Sequence, residues 1–332
     1  MGRPGQSWYC VPPVSDQLAS SSVQRWRGLE AIPSGWGRSV VTIGVFDGLH
    51  RGHARLVTHA VRRGQELGVP SVLMTFDPHP SEVIRPGSHP AQLTTLRRRA
   101  ELVEALGVEV FFVLPFTAEL SRMPADEFVH TVLVERLHVA DVVVGDNFTF
   151  GHKAAGNIEL LRTLGRRFGF TAEGVGLLSQ GELTFSSTYI RSCIDAGDVT
   201  AAGIALGRPH RLEGIVIRGE QRGRTLGYPT ANLSTPRHAA IPADGVYACR
   251  FVHRGRELAA AVSVGTNPTF SGRERRVEAY VLDLDEDFYG ERVALDFVER
   301  LRGMCRFDTP EQLVAQIDDD VAQTRRVFDR TK

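Results

Sequence analysis

The chain has 332 residues, with 39 Lys+Arg against 39 Asp+Glu, and so carries no formal net charge. That excludes a polybasic nucleic-acid or membrane-surface binder over the whole chain, although a local patch stays open. Hydrophobic residues at 42% and charged residues at 23% exclude a disordered chain, and no apolar run reaches the roughly 20 residues that span a bilayer.

The length predicts two domains. Cysteines stand at 10, 193, 249 and 305, with no C-x-x-C spacing, so neither a zinc finger nor a disulfide framework is expected. Reduced thiols and the lack of a signal-like N-terminus predict a cytoplasmic protein. Only Lys153 and Lys332 are lysines. A Walker A loop, which needs Gly-Lys-[Ser/Thr], is therefore absent, as is the dinucleotide-binding G-x-G-x-x-G. ATP would have to be held in another way.

Residues 1–25 are rich in Ser, Pro and Gly without hydrophobic period and read as a disordered extension. From Ser39 the pattern changes. Val40 to Phe46 is an apolar, β-branched run expected to be a buried strand. A helix follows over Ala54 to Leu67, then a strand over Ser71 to Phe76. Leu96, Ala100, Val103 and Leu106 share one helical face, with Thr94 or Thr95 as N-cap. Val108 to Leu114 is again strand-like. Pro124 suits the first position of a helix whose apolar stripe is Phe128, Val132, Leu133 and Leu137. A strand at Asp141 to Gly145, a helix at Asn157 to Phe168 and a strand at Phe170 to Leu177 come next. Two short helices, the second from Asp198, close this half. Such alternation predicts a doubly wound parallel sheet, with ligands beyond the carboxyl ends of its strands.

After Gly207 the period becomes two. Gly214–Arg218, Val246–Val252, Leu258–Val264, Val277–Asp283 and Val293–Val298 read as strands of a small antiparallel barrel. A last helix spans about Pro310 to Phe328. The expected division is 1–25, 26–207 and 208–332. Asp318 to Asp320 read as a solvated acidic face.

The segment Gly44-Val45-Phe46-Asp47-Gly48-Leu49-His50-Arg51-Gly52-His53 joins the first strand to the first helix. Its glycines let backbone approach a ligand, and the helix N-terminus offers free N–H groups to phosphate. His50 and His53 add side-chain donors for ATP phosphates. The residues alone also fit a His-His metal site or a structural loop. Asp77-Pro78-His79-Pro80 follows the second strand. Asn147, Phe148 and Phe150 follow a later one and suit a planar heterocycle. Lys153, just beyond, fits a phosphate contact or a solvated loop equally. Ser186-Ser187-Thr188-Tyr189-Ile190-Arg191 opens a helix with hydroxyls for phosphate and an arginine for a leaving group; a plain capped helix fits it too.

In the second half, Gly219, Gly223, Arg224 and Gly227 lie in a loop suited to polyphosphate, although a plain turn-rich loop fits it too. It leads into Tyr228-Pro229-Thr230-Ala231-Asn232. Thr230 and Asn232 are neutral oxygen ligands suited to Mg2+ shared with substrate phosphates. Glu278 stands mid-strand, where a carboxylate is able to take the proton of an alcohol nucleophile; a solvated strand glutamate fits the residues equally.

These blocks, in this order, resemble the bifunctional riboflavin kinase/FMN adenylyltransferase family, the prokaryotic FAD synthetases, over about residues 26–330. The resemblance implies a nucleotidylyltransferase-like, Rossmann-like first domain (26–207) that adenylylates FMN and a riboflavin kinase barrel (208–332). ATP is the implied co-substrate, riboflavin and FMN the implied substrates, and Mg2+ the implied metal. By that similarity His50, His53 and Arg191 serve adenylyl transfer, and Glu278 serves phosphorylation. Gly44, Phe46, Asp47, His79, Asn147, Ser187, Thr188, Gly219, Gly223 and Arg224 bind ATP or flavin, and Thr230 and Asn232 bind the metal. Tyr228 stands where the family has phenylalanine, and its hydroxyl requires a partner. No nucleic acid or membrane partner is expected, and a homo-oligomer is left open. The competing class is a nucleotide-binding regulator whose barrel takes a protein or RNA partner. Zero net charge and the lack of an aromatic-basic stripe weigh against it.

Overall fold

The computed structural model describes residues 23–176, 178–180, 183–219, 227–269, 272–284 and 286–330. Most of the expected N-terminal extension therefore lies outside the described residues, as do Leu177, Gly223 and Arg224.

The first half is a six-stranded sheet of parallel strands, in the order β1-β4-β3-β2-β5-β6. Its strands are β1 (Gln24–Arg27), β2 (Ser39–Ile43), β3 (Ser71–Asp77), β4 (Val110–Pro115), β5 (Val139–Gly145) and β6 (Thr171–Val175). Helices α1 (Arg51–Leu67), α2 (Pro80–Ile84), α3 (Leu96–Glu104), α4 (Ala125–Phe128), α5 (Ile158–Phe168), α6 (Ser187–Ala196) and α7 (Val199–Leu206) connect or follow them. A two-stranded ribbon, β7 (Ser179–Gln180) and β8 (Leu183–Thr184), precedes α6.

Both faces of the sheet are buried. Val41, Ile43, Val142 and Val144 pack with Val129, Leu133 and Leu161 on one face. Val40 and Val143 pack with Leu56, Val57, Ala60 and Val103 on the other. Consecutive residues of a strand thus enter opposite layers, which is why these strands read as unbroken apolar runs.

The chain differs from its sequence-based reading at several places in this half, the unread α2 and the β7–β8 ribbon among them. β1 begins at Gln24, inside the expected extension, and pairs in parallel with β4. Its anchor is Trp26, 7% exposed and edge-on to Trp36; one apolar residue among four shows no period. β2 stops at Ile43, so Phe46 lies in the loop. Pro124 is the N-cap of α4, not its first residue. Beyond α4 the helix widens to a π-helical stretch, Val129–Arg136, whose larger turn accommodates the Phe128, Val132, Leu133 and Leu137 stripe.

The second half is a closed barrel, ordered β10-β13-β12-β11-β14-β9. It comprises β9 (His210–Ile217), β10 (Ala231–Ser234), β11 (Gly245–His253), β12 (Arg256–Thr269), β13 (Gly272–Val281) and β14 (Arg292–Arg302). Inside pack Val216, Tyr247, Cys249, Phe251, Val262, Ala279, Leu295 and Phe297. β10 was not expected. Its four residues are too few to show alternation, yet it closes the barrel by pairing with both β9 and β13.

Helix α8 (Pro310–Asp329) packs across the barrel, capped by Thr309. Its fully buried residues are Asp320, Thr324 and Val327, while Leu313, Ile317, Val321 and Phe328 are half-buried. Asp320 is thus not part of a solvated face. Both its oxygens accept from Arg302, at 2.8 and 2.7 Å. Removing one partner strands the other charge at a largely desolvated site, which typically costs about 3 kcal/mol. Asp320→Ala is expected to lower the unfolding free energy by that amount, read by urea denaturation. A loss below about 1 kcal/mol would mean that solvent screens the pair.

Candidate active sites

The parallel sheet reverses its winding at β2, which lies between β3 and β5. A crevice opens beyond strand ends at such a point, and the loop from β2 to α1 occupies it. Phe46, Gly48 and Leu49 all have positive φ, at 50°, 80° and 38°. A side chain at Gly48 would meet Leu93 at 2.8 Å. The loop delivers His50 to the N-cap of α1, where its Nδ1 accepts from the His53 backbone N–H at 3.3 Å. A backbone N–H only donates, so the neutral His50 ring carries its proton on Nε2. The His50 and His53 rings stack at 3.6 Å.

His79 repeats this arrangement at the N-cap of α2. Its Nδ1 accepts from the Ser81 N–H at 3.2 Å, so its Nε2 is likewise a donor. Burial, then the cation of Arg208, lowers the pKa of His50 to about 4. Burial, then Arg191, lowers that of His79 to about 4. Burial and the His50 ring push His53 well below its usual value. All three imidazoles are neutral near pH 7. His53 Nδ1 is buried with no protein partner among the described residues, a polar atom left for a ligand or water.

The Asp47 side chain turns inward. At 2% exposure its carboxylate accepts from the N–H groups of Leu93 and Thr94, the Thr94 hydroxyl, Arg99 and Arg191. Arg191 also donates to the Ala91 carbonyl at 2.7 Å, and Ser187 Oγ to the Asp47 carbonyl at 2.9 Å. Asp47 therefore ties Arg191 and the start of α6 to the histidine loop. Thr188 stands exposed in the first turn of α6.

Phe46 is also a support. It is 1% exposed, edge-on to His53 at 5.2 Å and in contact range of Gly44. Asn147 is exposed beyond β5, at the same sheet edge. Phe150 is buried against Phe128, and Phe148 stacks on Phe150, so Phe150 belongs to the core and not to a heterocycle site.

Sequence reasoning missed Arg99 and Arg208. Arg99 donates to the Val45 carbonyl at 2.9 Å and to Asp47. Its signal was available: a charge three residues from Leu96, on the apolar face of α3. Arg208 sits at the junction of the halves, where no motif marks it.

In the barrel, Asn232 on β10 lies opposite Glu278 on β13. Ser263 on β12 flanks Glu278 on its other side. Cross-strand neighbours have Cβ atoms about 5 Å apart on one face, so the amide, carboxylate and hydroxyl form one row. Glu278 is half-buried. A side chain at Gly219 would fall 2.3 Å from Asn232 Nδ2; only glycine lets the chain pass there. Thr230 immediately precedes β10. The Tyr228 hydroxyl finds its partner in α8, donating to Asp318, and this bond raises its pKa to about 12. Gly223 and Arg224, expected to bind phosphate, lie outside the described residues. Among the described residues no three His, Cys, Asp or Glu side chains gather as a metal set.

The family model for FAD synthetase matches residues 32–189, and that for riboflavin kinase matches residues 206–328. The bifunctional riboflavin kinase/FMN adenylyltransferase of Escherichia coli K12 is 33% identical over 294 residues, covering 88% of this chain and 94% of its own. The chain belongs to the bifunctional riboflavin kinase/FMN adenylyltransferase family. The Pseudomonas fluorescens member is 36% identical, covering 91% and 97%. A Streptococcus pneumoniae crystal structure titled as a macrolide-efflux protein superposes with a TM-score of 0.83 at 33% identity. It covers 92% of this chain and 99% of that one. Among the described residues no helix is long and apolar enough to cross a membrane.

The depressed pKa of His50 has a consequence for stability. As pH falls below 6.5 the unfolded chain binds a proton that folded His50 refuses, so stability present above pH 6.5 is lost as pH falls toward 4. A shift from 6.5 to about 4 corresponds to about 3 kcal/mol. His50→Asn keeps an N-cap acceptor but not the titration. Between pH 7 and pH 4 the variant's unfolding free energy is expected to fall by about 3 kcal/mol less than that of the parent. Equal falls would show that His50 titrates normally in the folded protein.

Proposed function

We propose that the family's two activities are divided between the two sites described above, with residues 26–207 serving adenylyl transfer and 208–332 phosphorylation. The chain phosphorylates riboflavin with ATP to give FMN, and adenylylates FMN with ATP to give FAD and pyrophosphate. The observation that carries the division is the barrel register, which sets Glu278 between Asn232 and Ser263, away from the histidine loop.

In the first site, a phosphate oxygen of FMN attacks the α-phosphorus of ATP as the bond to pyrophosphate breaks. The protein supplies position and charge, not a nucleophile. His50 and His79 donate through Nε2–H to phosphate oxygens, the free N–H groups of α1 add their partial charge, and Arg191, held by Asp47, meets the leaving pyrophosphate. His53 and Gly44 line this site, Ser187 and Thr188 border it at α6, and Asn147 borders it on the β5 side.

In the second site, Glu278 takes the proton of the riboflavin primary alcohol as its oxygen attacks the γ-phosphorus. Mg2+ fits the neutral oxygens of Thr230 and Asn232, the latter in a cradle that a Cβ at Gly219 would fill; bound with substrate phosphates, it would neutralise their charge. Cytoplasmic residence suits both substrates and the sparse, scattered cysteines.

Glu278→Gln is expected to lower riboflavin phosphorylation by at least ~10²-fold and to leave FMN adenylylation intact. Parallel incubations of the full chain with ATP and Mg2+, one from riboflavin and one from FMN, with flavins separated by chromatography, measure both. Loss of both activities in a folded variant would overturn the division.

A further inference from the structure

The histidine loop presents a backbone problem that the adenylylation site alone does not solve. Phe46 and Leu49 are non-glycine residues held at positive φ, which costs of order 1 kcal/mol each and persists only where surroundings over-determine it. The donors to its carbonyls show how. Val45 O accepts from Thr75 Oγ1 and Arg99 Nη1, both at 2.9 Å. Phe46 O accepts from Leu49 N at 3.1 Å, Asp47 O from Ser187 Oγ, and His50 O from Ala54 N at 2.8 Å. The two carbonyls immediately before His50 accept from a residue outside this half. Arg208 Nη2 donates to Gly48 O at 2.5 Å and Arg208 Nη1 to Leu49 O at 3.0 Å.

Arg208 lies between α7 and β9, at the junction of the halves. Among the described residues its remaining side-chain hydrogen bond goes to the Leu206 carbonyl, and it forms no ion pair there. Asp296, a carboxylate that attracts Arg208, is taken through both oxygens by Arg211 at 2.6 Å. Burial and the like charge of Arg98 lower the pKa of Arg208 to about 10, so it stays cationic at neutral pH. A desolvated cation whose hydrogen bonds all go to carbonyls, set behind a phosphate-binding turn, finds its counter-charge in an anionic ligand.

We propose that Arg208 is a positioning residue for adenylyl transfer: from the segment joining the two halves, its planar guanidinium spans the carbonyls of Gly48 and Leu49 and fixes the turn that presents His50 and the α1 N-terminus to the ATP triphosphate. The proposal rests on the placement of that reaction at the histidine loop. It makes the adenylylation site dependent on a residue that enters no reaction and lies beyond the residues matched to FAD synthetase, at the edge of those matched to riboflavin kinase.

The test uses the full-length chain and steady-state kinetics of each reaction in the same preparations. Arg208→Gln is expected to lower kcat/KM for ATP in FMN adenylylation by about 10–100-fold, the effect of a displaced reacting geometry. Riboflavin phosphorylation should be unchanged. Arg208→Lys keeps the charge but lacks the two-pronged fork, so KM for ATP should recover while kcat stays low. That split is one that a purely structural role would not produce. Unchanged adenylylation in Arg208→Gln overturns the proposal. So does an equal loss of both activities in the two variants, or full recovery of kcat in Arg208→Lys. If the glutamine variant does not fold, the lysine variant decides alone. His50→Asn separates the levels: if it adenylylates FMN normally, the placement of the site is wrong. If it is impaired while Arg208→Gln is normal, only the role of Arg208 falls.

Discussion

The buried carboxylate of Asp47 is the interaction on which the first site depends. It gathers donors from the segment before α3, from α3 itself and from α6, and so fastens three parts of the fold to one strained turn. A carboxylate at this depth persists because two guanidiniums and two backbone N–H groups replace its water. The arrangement works in both directions. Asp47 fixes the Arg191 guanidinium, and the pull of those donors holds the turn that makes His50 an N-cap. Three imidazoles then sit where burial keeps them neutral, each a directional donor instead of a diffuse charge.

The barrel solves its positioning problem by register. Its small circumference brings β10, only four residues long, between β9 and β13, and pairing leaves one face for Asn232, Glu278 and Ser263. A shift of one residue in any of these strands would send its own member to the opposite face, so the hydrogen-bond ladder that builds the barrel also aligns the row. Helix α8 adds tension from outside, gripping Arg302 through Asp320 and Tyr228 through Asp318.

Much of this was legible in the residues. Runs such as Val40 to Ile43 declare buried parallel strands because both faces are covered. Ser186 declares itself by opening a helix, where a side-chain acceptor is required, whereas the N-cap roles of His50 and His79 emerge only from the structure. Illegible parts share a different physics. β1 and β10 exist only because a neighbouring strand offers them a ladder, and four residues carry no period. Asp320 reads as one more surface acid until Arg302, 18 residues earlier, is placed against it. Phe46 and Asp47 look like ligand contacts because they fall in a glycine-rich loop, yet each turns inward to support the residues beside it. Arg208 serves through carbonyls, and a backbone partner leaves no mark in the pattern of side chains.

The carbonyl contacts of Arg208, together with the Gln92 N–H donating to the His238 carbonyl and the bond from Thr95 to Glu213, bear on how the chain is made. On the ribosome the parallel sheet emerges first, with its core residues complete, but without the partners that finish its loops. Those arrive with residues 208 to 238, when synthesis is already well into the barrel. The nascent first half is therefore a packed sheet whose mouth stays unfinished until the start of the second half has left the exit tunnel.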